Sequence, residues 1–205
     1  MTAIEFRQLA EKYGPTIAAI RKSAHELHQS VGQKYDKVHP YGFHLDMVAD
    51  GVREFGFSVC VSEDDIGPLF FGAFYHDSME DARLTYNDVN GIALQWMNPD
   101  QALMAAEMVY ALTNEKGRTR AERANDKYYQ GIRETPYAPF LKLSDRLANA
   151  GYSCSQAGSG AGNSRMKQVY SSEWPHFLAA ITSESEDVRY SLPPEMVERV
   201  RSLLE

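Results

Sequence analysis

Apolar residues at positions 9, 13, 17, 20, 24, 27 and 31 recur at three-and-four spacing, the mark of a buried helical stripe, and Gly14-Pro15 breaks and restarts it. The pattern predicts two opening helices, the second over about 16 to 31. A polar connection, "GQKYDKVHP", leads into "YGFHLDMVADGVREFG", where positions 44, 48, 52 and 55 share one face and Gly56 suits a C-terminal cap. His44 therefore lies on an inward stripe. After the irregular "SVCVSEDD", Ile66 to Asp77 reads as a buried helix that runs into His76, Asp77, Glu80 and Asp81. Thr85 caps a short helix through Leu94, and Asn98-Pro99 opens another through Leu112. A basic stretch predicts a helix over about 119 to 133, and "TPYAPFLKLSDRLANAG" one opened by Thr135-Pro136 and closed by Gly151. "SQAGSGAG" reads as a linker: its glycines lack the flanking strand and Gly-Lys-Ser/Thr of a phosphate loop. Helices over about 163 to 182 and 193 to 204 end the chain.

Alternating β-branched runs are scarce, so the expected class is all-α, a single-domain bundle of about eight to ten helices, with a motif core over about 29–149 and a helical extension over 160–205. At 205 residues, one substantial core suffices. The net charge of -7 argues against broad contact with a nucleic-acid backbone, while leaving room for a small anion in a local basic pocket. No run reaches the roughly 18 apolar residues of a membrane span, and the start lacks a signal-peptide pattern, so the expected location is cytoplasmic with no membrane partner. Cys60 and Cys154 stand far apart, which suits a reducing compartment and leaves any metal to histidine and carboxylate.

On a helix, positions i and i+4 lie one above the other, so His76 falls under Glu80 and Asp77 under Asp81, all on one face or its edge. Carboxylates so crowded raise one another's pKa unless a cation neutralises them, and a divalent metal is the natural cation. Further ligands must come from elsewhere. His44 is one candidate, and Asp145 is another, a carboxylate in the otherwise apolar "FLKLSDRLAN". Singly, each has a plain structural alternative: a hydrogen-bonded core histidine, or a carboxylate paired with Arg146. The order His, then His-Asp, then a distant Asp, each on a predicted helix, arises far less readily by chance. Mixed nitrogen and oxygen ligation suits Mn2+, Fe2+ or Zn2+.

That order resembles the HD superfamily of metal-dependent phosphohydrolases, and in detail the hydrolase domains of RelA/SpoT homologues, including small stand-alone alarmone hydrolases. "HPYGFHLDMVADGV", "GAFYHDSMEDARLT" and "FLKLSDRLAN" are similar to three motifs of that branch, and "SRMKQVYSSEWPHFLAAI" more weakly to its tail. The resemblance implies an HD helical bundle in which His44, His76, Asp77 and Asp145 hold one ion, Mn2+ being usual. It implies that Glu80 and Asp81 position and deprotonate the attacking water, that Asn149 contacts the nucleoside sugar, and that Lys34, Lys167 and Tyr170 lie near the ligand. The implied activity removes the 3'-pyrophosphate of guanosine tetra- or pentaphosphate, (p)ppGpp, in the stringent response. Alternatives are an HD phosphohydrolase for a dNTP, a nucleoside monophosphate or NADPH, or a binding protein on an HD scaffold. A small nucleotide is the expected partner, and a cognate toxic synthetase another. With no synthetase-like segment in the chain, only degradation is expected. The chain departs from the branch at Ala82, where a threonine is usual, and in the polar segment carrying "SEDD". Lys116, Arg120, Arg123 and Lys127 recur at helical spacing as one positive stripe, either a solvated face or a wall that gathers polyphosphate. The aromatics, with Trp96 and Trp174, are assigned to core.

Overall fold

The structure, a computed structural model, describes residues 1–158 and 164–205. Among the described residues the chain forms twelve α-helices: α1 (Ala3–Lys12), α2 (Gly14–Ser30), α3 (Gly42–Phe55), α4 (Ile66–Tyr75), α5 (Ser78–Asp81), α6 (Tyr86–Ala93), α7 (Pro99–Leu112), α8 (Arg120–Arg123), α9 (Asp126–Glu134), α10 (Ala138–Gly158), α11 (Ser164–Ile181) and α12 (Pro194–Leu204). With α5 and α8 only single turns, the architecture is the expected all-α bundle. No strand forms among the described residues beyond an isolated Lys34–Pro40 bridge, and no helix is long and apolar enough to cross a membrane.

Every residue of α4 is buried, because "IGPLFFGAFY" is apolar on all its faces and offers no side to water. The helices α2, α3, α7 and α10 pack around it. Two glycines set how near the layers come. A Cβ on Gly72 of α4 would lie 2.6 Å from Leu141 Cδ1, and one on Gly51 of α3 would lie 3.2 Å from Ser144 Oγ. Both contacts are with α10, next to Asp145. They let α3 and α4 lie close along α10, the helices that carry His44, lead into His76 and carry Asp145.

Three predicted elements differ. The helix from Ile66 ends at Tyr75 rather than Asp77: Asp77 leaves helical backbone (φ -100°, ψ 4°), and α5 restarts at Ser78. The basic helix over 119 to 133 is split into α8 and α9, because Ala124 turns out of the helix (φ -99°, ψ 59°) and the Asn125 side chain caps α9 at Tyr128 N. Gly151 does not end α10, which runs on to Gly158. There α11 and α12 pack along α10, and that burial outweighs the roughly 1 kcal/mol a helical glycine costs. Half of the expected linker is therefore helix, and its residues 159–162 lie outside the described residues.

A charged clamp joins α2 to α3. Arg21 Nε and Nη2 each donate to Asp46 at 2.6 Å, and His25 Nε2 lies 3.0 Å from Oδ1. Burial alone would raise the Asp46 pKa, but the Arg21 fork and His25 outweigh it and bring it down to about 2. A lowered carboxylate contributes stability that is present above its unfolded pKa and lost as pH falls through the folded one. Wild-type protein is therefore expected to lose about 1 kcal/mol more than Arg21→Met between about pH 4 and pH 2, solvent screening included. Urea unfolding across that range checks it; parallel curves would remove the clamp from the stability account.

Candidate metal centre

His44 projects from the first turn of α3, His76 directly follows α4, Asp77 comes next, and Asp145 sits mid-way along α10. Adjacent residues on a helix point apart, so the break at Asp77 is what lets its carboxylate turn beside His76. Asp77 Oδ2 lies 2.9 Å from His76 Nε2 and 3.8 Å from His44 Nε2. His44 Nε2 lies 3.3 Å from His76 Nε2 and 3.4 Å from Asp145 Oδ1. His44, His76 and Asp145 each offer an atom within 4.8 Å of the other two, and Asp77 is in reach of both imidazoles. Ligands about 2.1 Å from a shared ion and about 90–110° apart lie about 3.0–3.5 Å from one another, so His44, His76 and Asp145 fit one divalent ion, with the Asp77 carboxylate beside them.

The proton positions agree with that fit. Ala73 O can only accept, so His76 Nδ1, 2.9 Å away, carries a proton, and Nε2 is the nitrogen that faces the cluster. Without an ion, His76 and Lys142 supply the positive charge that the two carboxylates face. His44 is held differently. Its ring stacks on Tyr35 (centroids 5.0 Å apart, planes 5° apart), and its buried Nδ1 has no hydrogen-bond partner among the described residues.

Four neighbours secure the carboxylates. Tyr41 OH donates to Asp77 Oδ2. Lys142 Nζ lies 2.9 Å from Asp145 Oδ2, and Asn149 Nδ2 donates to Oδ1 at 2.5 Å while its own Oδ1 accepts from Tyr35 OH at 3.1 Å. Asn149 thus orients Asp145 with both ends of its amide. Burial opposes the charge on Asp77 and Asp145, yet His76 for the first and Lys142 for the second hold both pKa values below the usual carboxylate range. Mutual repulsion, expected from the sequence, acts on Asp77 from Asp145 but gives a net rise at Asp81, which burial and then Asp77 push up despite contacts from Gln33 and Tyr41. The difference is that the positive group acting on Asp81, His28, is too weak to offset burial and the charge of Asp77. A raised carboxyl near an ion's water is suited to accept a proton.

Glu80 and Asp81 part company. The Asp81 N–H bonds Asp77 O at 2.9 Å, so this pair keeps its place on one turn. Glu80 is exposed and accepts from Asn114 Nδ2 at 2.7 Å. The expected stacking of Glu80 under His76 fails because no continuous helix joins them.

A cavity of about 530 Å³ opens on the cluster, within the range of small-molecule sites. Asp77, Glu80, Asp81, Asp145, Asn149 and Tyr170 line it; Lys34 and Lys167 do not. Lys34 is exposed in the extended bridge to Pro40, where successive side chains point to opposite sides, and its neighbour Tyr35 faces the cavity instead. Ala82 is not on the lining, and Glu63 of "SEDD" meets Lys12 and Tyr13 near α1. The basic stripe divides: Arg120 and Arg123 line the cavity, whereas Lys127 pairs with Glu115 at the surface and Lys116 is exposed. Trp174 is core, but Tyr35, Tyr41, Tyr128, Tyr129 and Tyr170 form cavity wall.

Sequence reasoning missed Lys142, Tyr41, Arg146 and Glu173. Lys142 was within reach of it, as a cation three residues before Asp145 in an apolar run; Asp145 pairs with Lys142 and not with Arg146. No protein-family model and no curated protein sequence matches the chain.

Proposed function

We propose that the chain is a metal-dependent phosphohydrolase of HD type that removes the 3'-pyrophosphate from guanosine tetra- or pentaphosphate. The observation that carries this reading is the convergence of His44, His76, Asp77 and Asp145 beside Asp81, in a cavity that also presents arginines. A divalent ion, Mn2+ by resemblance, supplies Lewis acidity toward a water and a phosphoryl oxygen. Asp77 and Asp145, kept ionised by His76 and Lys142, are ready ligands. Asp81 accepts the proton of the attacking water, and Glu80, tied to Asn114, helps to position it. The water oxygen adds to the phosphorus on the 3'-oxygen, that P–O bond breaks, and the 3'-oxygen takes a proton, leaving GDP or GTP and pyrophosphate. Arg120, Arg123 and Arg146 attract the phosphates, and the tyrosines restrict bulk water.

Purified protein with Mn2+ and labelled guanosine tetraphosphate is expected to release pyrophosphate. A nucleotide panel extends the test, because Lys34 and Lys167 fall off the cavity lining and thin the alarmone contact set. Turnover of a dNTP, a nucleoside monophosphate or NADPH in place of the alarmone would replace the substrate and keep the chemistry. Bound metal without turnover of any of them would leave a binding protein.

A further inference from the structure

One carboxylate in the cavity stands where a phosphate would be recognised. Glu173, on α11, receives Arg120 Nε and Nη2 at 2.8 and 3.0 Å and Arg146 Nη1 at 3.0 Å. The fork that arginine offers a carboxylate is the one it offers a phosphate. Both guanidiniums are held from below by aromatic rings. Tyr170 lies 5.7 Å from Arg120 and 4.7 Å from Arg146, and Phe177 lies 4.1 Å from Arg146, which is only 7% exposed. Two guanidiniums share a single carboxylate, so the cluster keeps a net positive charge. Arg123 also lines the cavity and is in no ion pair among the described residues.

We propose that Arg120 and Arg146 form an anion subsite, distinct from the metal donors, and that Glu173 is its resident competitor, exchanged for phosphate oxygens when a polyphosphate binds. The aromatic rings keep both guanidiniums in place whichever anion they hold. A pyrophosphate group brings more charge and more acceptor oxygens than a carboxylate and can engage Arg123 as well, so it displaces Glu173; a singly charged ligand does not. Glu173 thereby selects for multiply charged ligands. This rests on reading the cavity as a site for phosphorylated ligands.

The test is calorimetric titration of inorganic pyrophosphate into the full chain with excess EDTA, which needs neither metal nor hydrolysis. Glu173→Gln is expected to bind about tenfold more tightly than wild type, the gain of freeing charge-assisted donors. Adding Arg120→Ala removes that gain. Glu122→Gln deletes a carboxylate from the helix that carries Arg120, where it accepts from the Arg118 backbone N–H, without freeing a guanidinium, and changes affinity less than about twofold. Without any variant, saturating pyrophosphate is expected to shift the Glu173 side-chain carboxyl resonance. Absent pyrophosphate binding, no gain in Glu173→Gln, a gain that survives Arg120→Ala, or an unmoved resonance each overturns the proposal. Binding as expected by a protein that hydrolyses no nucleotide would uphold the subsite while removing the proposed reaction.

Discussion

His76→Ala is expected to lower Mn2+ affinity by more than about a hundredfold, since loss of an outer partner alone costs about 10–100-fold. Nucleotide hydrolysis should fall by about a thousandfold, or about 4 kcal/mol of barrier. The reason is geometric: His76 Nε2 is 2.9 Å from Asp77 Oδ2 and 3.3 Å from His44 Nε2, so its loss opens the centre of the donor set. A second readout does not depend on activity. Burial opposes a charge on His76, yet Asp77, then Asp145 and the Ala73 carbonyl, outweigh it and push its pKa up to about 9. A histidine raised on folding contributes stability that is fully present below its unfolded pKa, about 6.5, and lost as pH rises through the folded one. Metal-free wild type should therefore lose stability between about pH 6.5 and pH 9. His76→Ala should lack that slope, and Mn2+ should erase it from wild type because the ion takes the proton's place. Unchanged Mn2+ affinity in His76→Ala would sink the metal centre.

Lys142→Met should destabilise the metal-free protein by about 3 kcal/mol, the low end of the cost of breaking a buried ion pair. Methionine keeps most of the stem's packing, so the change isolates the charge. Burial works against the Lys142 ammonium, but Asp145, then Tyr128 and Asp77, raise its pKa above the ordinary lysine value. It is the fixed cation that keeps Asp145 ionised. Without it, Asp145 retains the Asn149 amide and His44 and no permanent positive charge. Added Mn2+ supplies that charge, so it should stabilise Lys142→Met more than wild type. Thermal unfolding with and without Mn2+ decides this; equal metal stabilisation in both proteins would detach Lys142 from the centre.

The metal-binding candidates were legible because their signals are local. The spacing of 44, 48, 52 and 55 put His44 inward, and His76 and Asp145 are both polar exceptions in apolar helical runs; each is a statement about one helix and its exposed or buried face. The break between α4 and α5 was not legible. No side-chain cap announces it, so periodicity alone carried the helix through Asp77 and placed Glu80 under His76. Gly151 misled in the opposite direction, because its local cost is small beside the burial that α11 and α12 supply along α10. The pairing of Arg120 with Glu173 spans 53 residues, and that of Tyr35 with Asn149 spans 114, distances at which no spacing rule operates.

By itself the sequence determined the all-α class, the wholly buried α4 and which histidines and carboxylates are candidates for a metal, since periodicity and residue chemistry act over a few neighbouring positions. Only the tertiary structure decided which of them meet. The close approach of α10 to α3 and α4 sets the donor distances, and the turn at Asp77 aims its carboxylate. The same packing separates Asp81, at the cluster, from Glu80, at the rim. It also brings Glu173 between Arg120 and Arg146, because side chains remote in sequence become neighbours only when helices bury their apolar faces against one another.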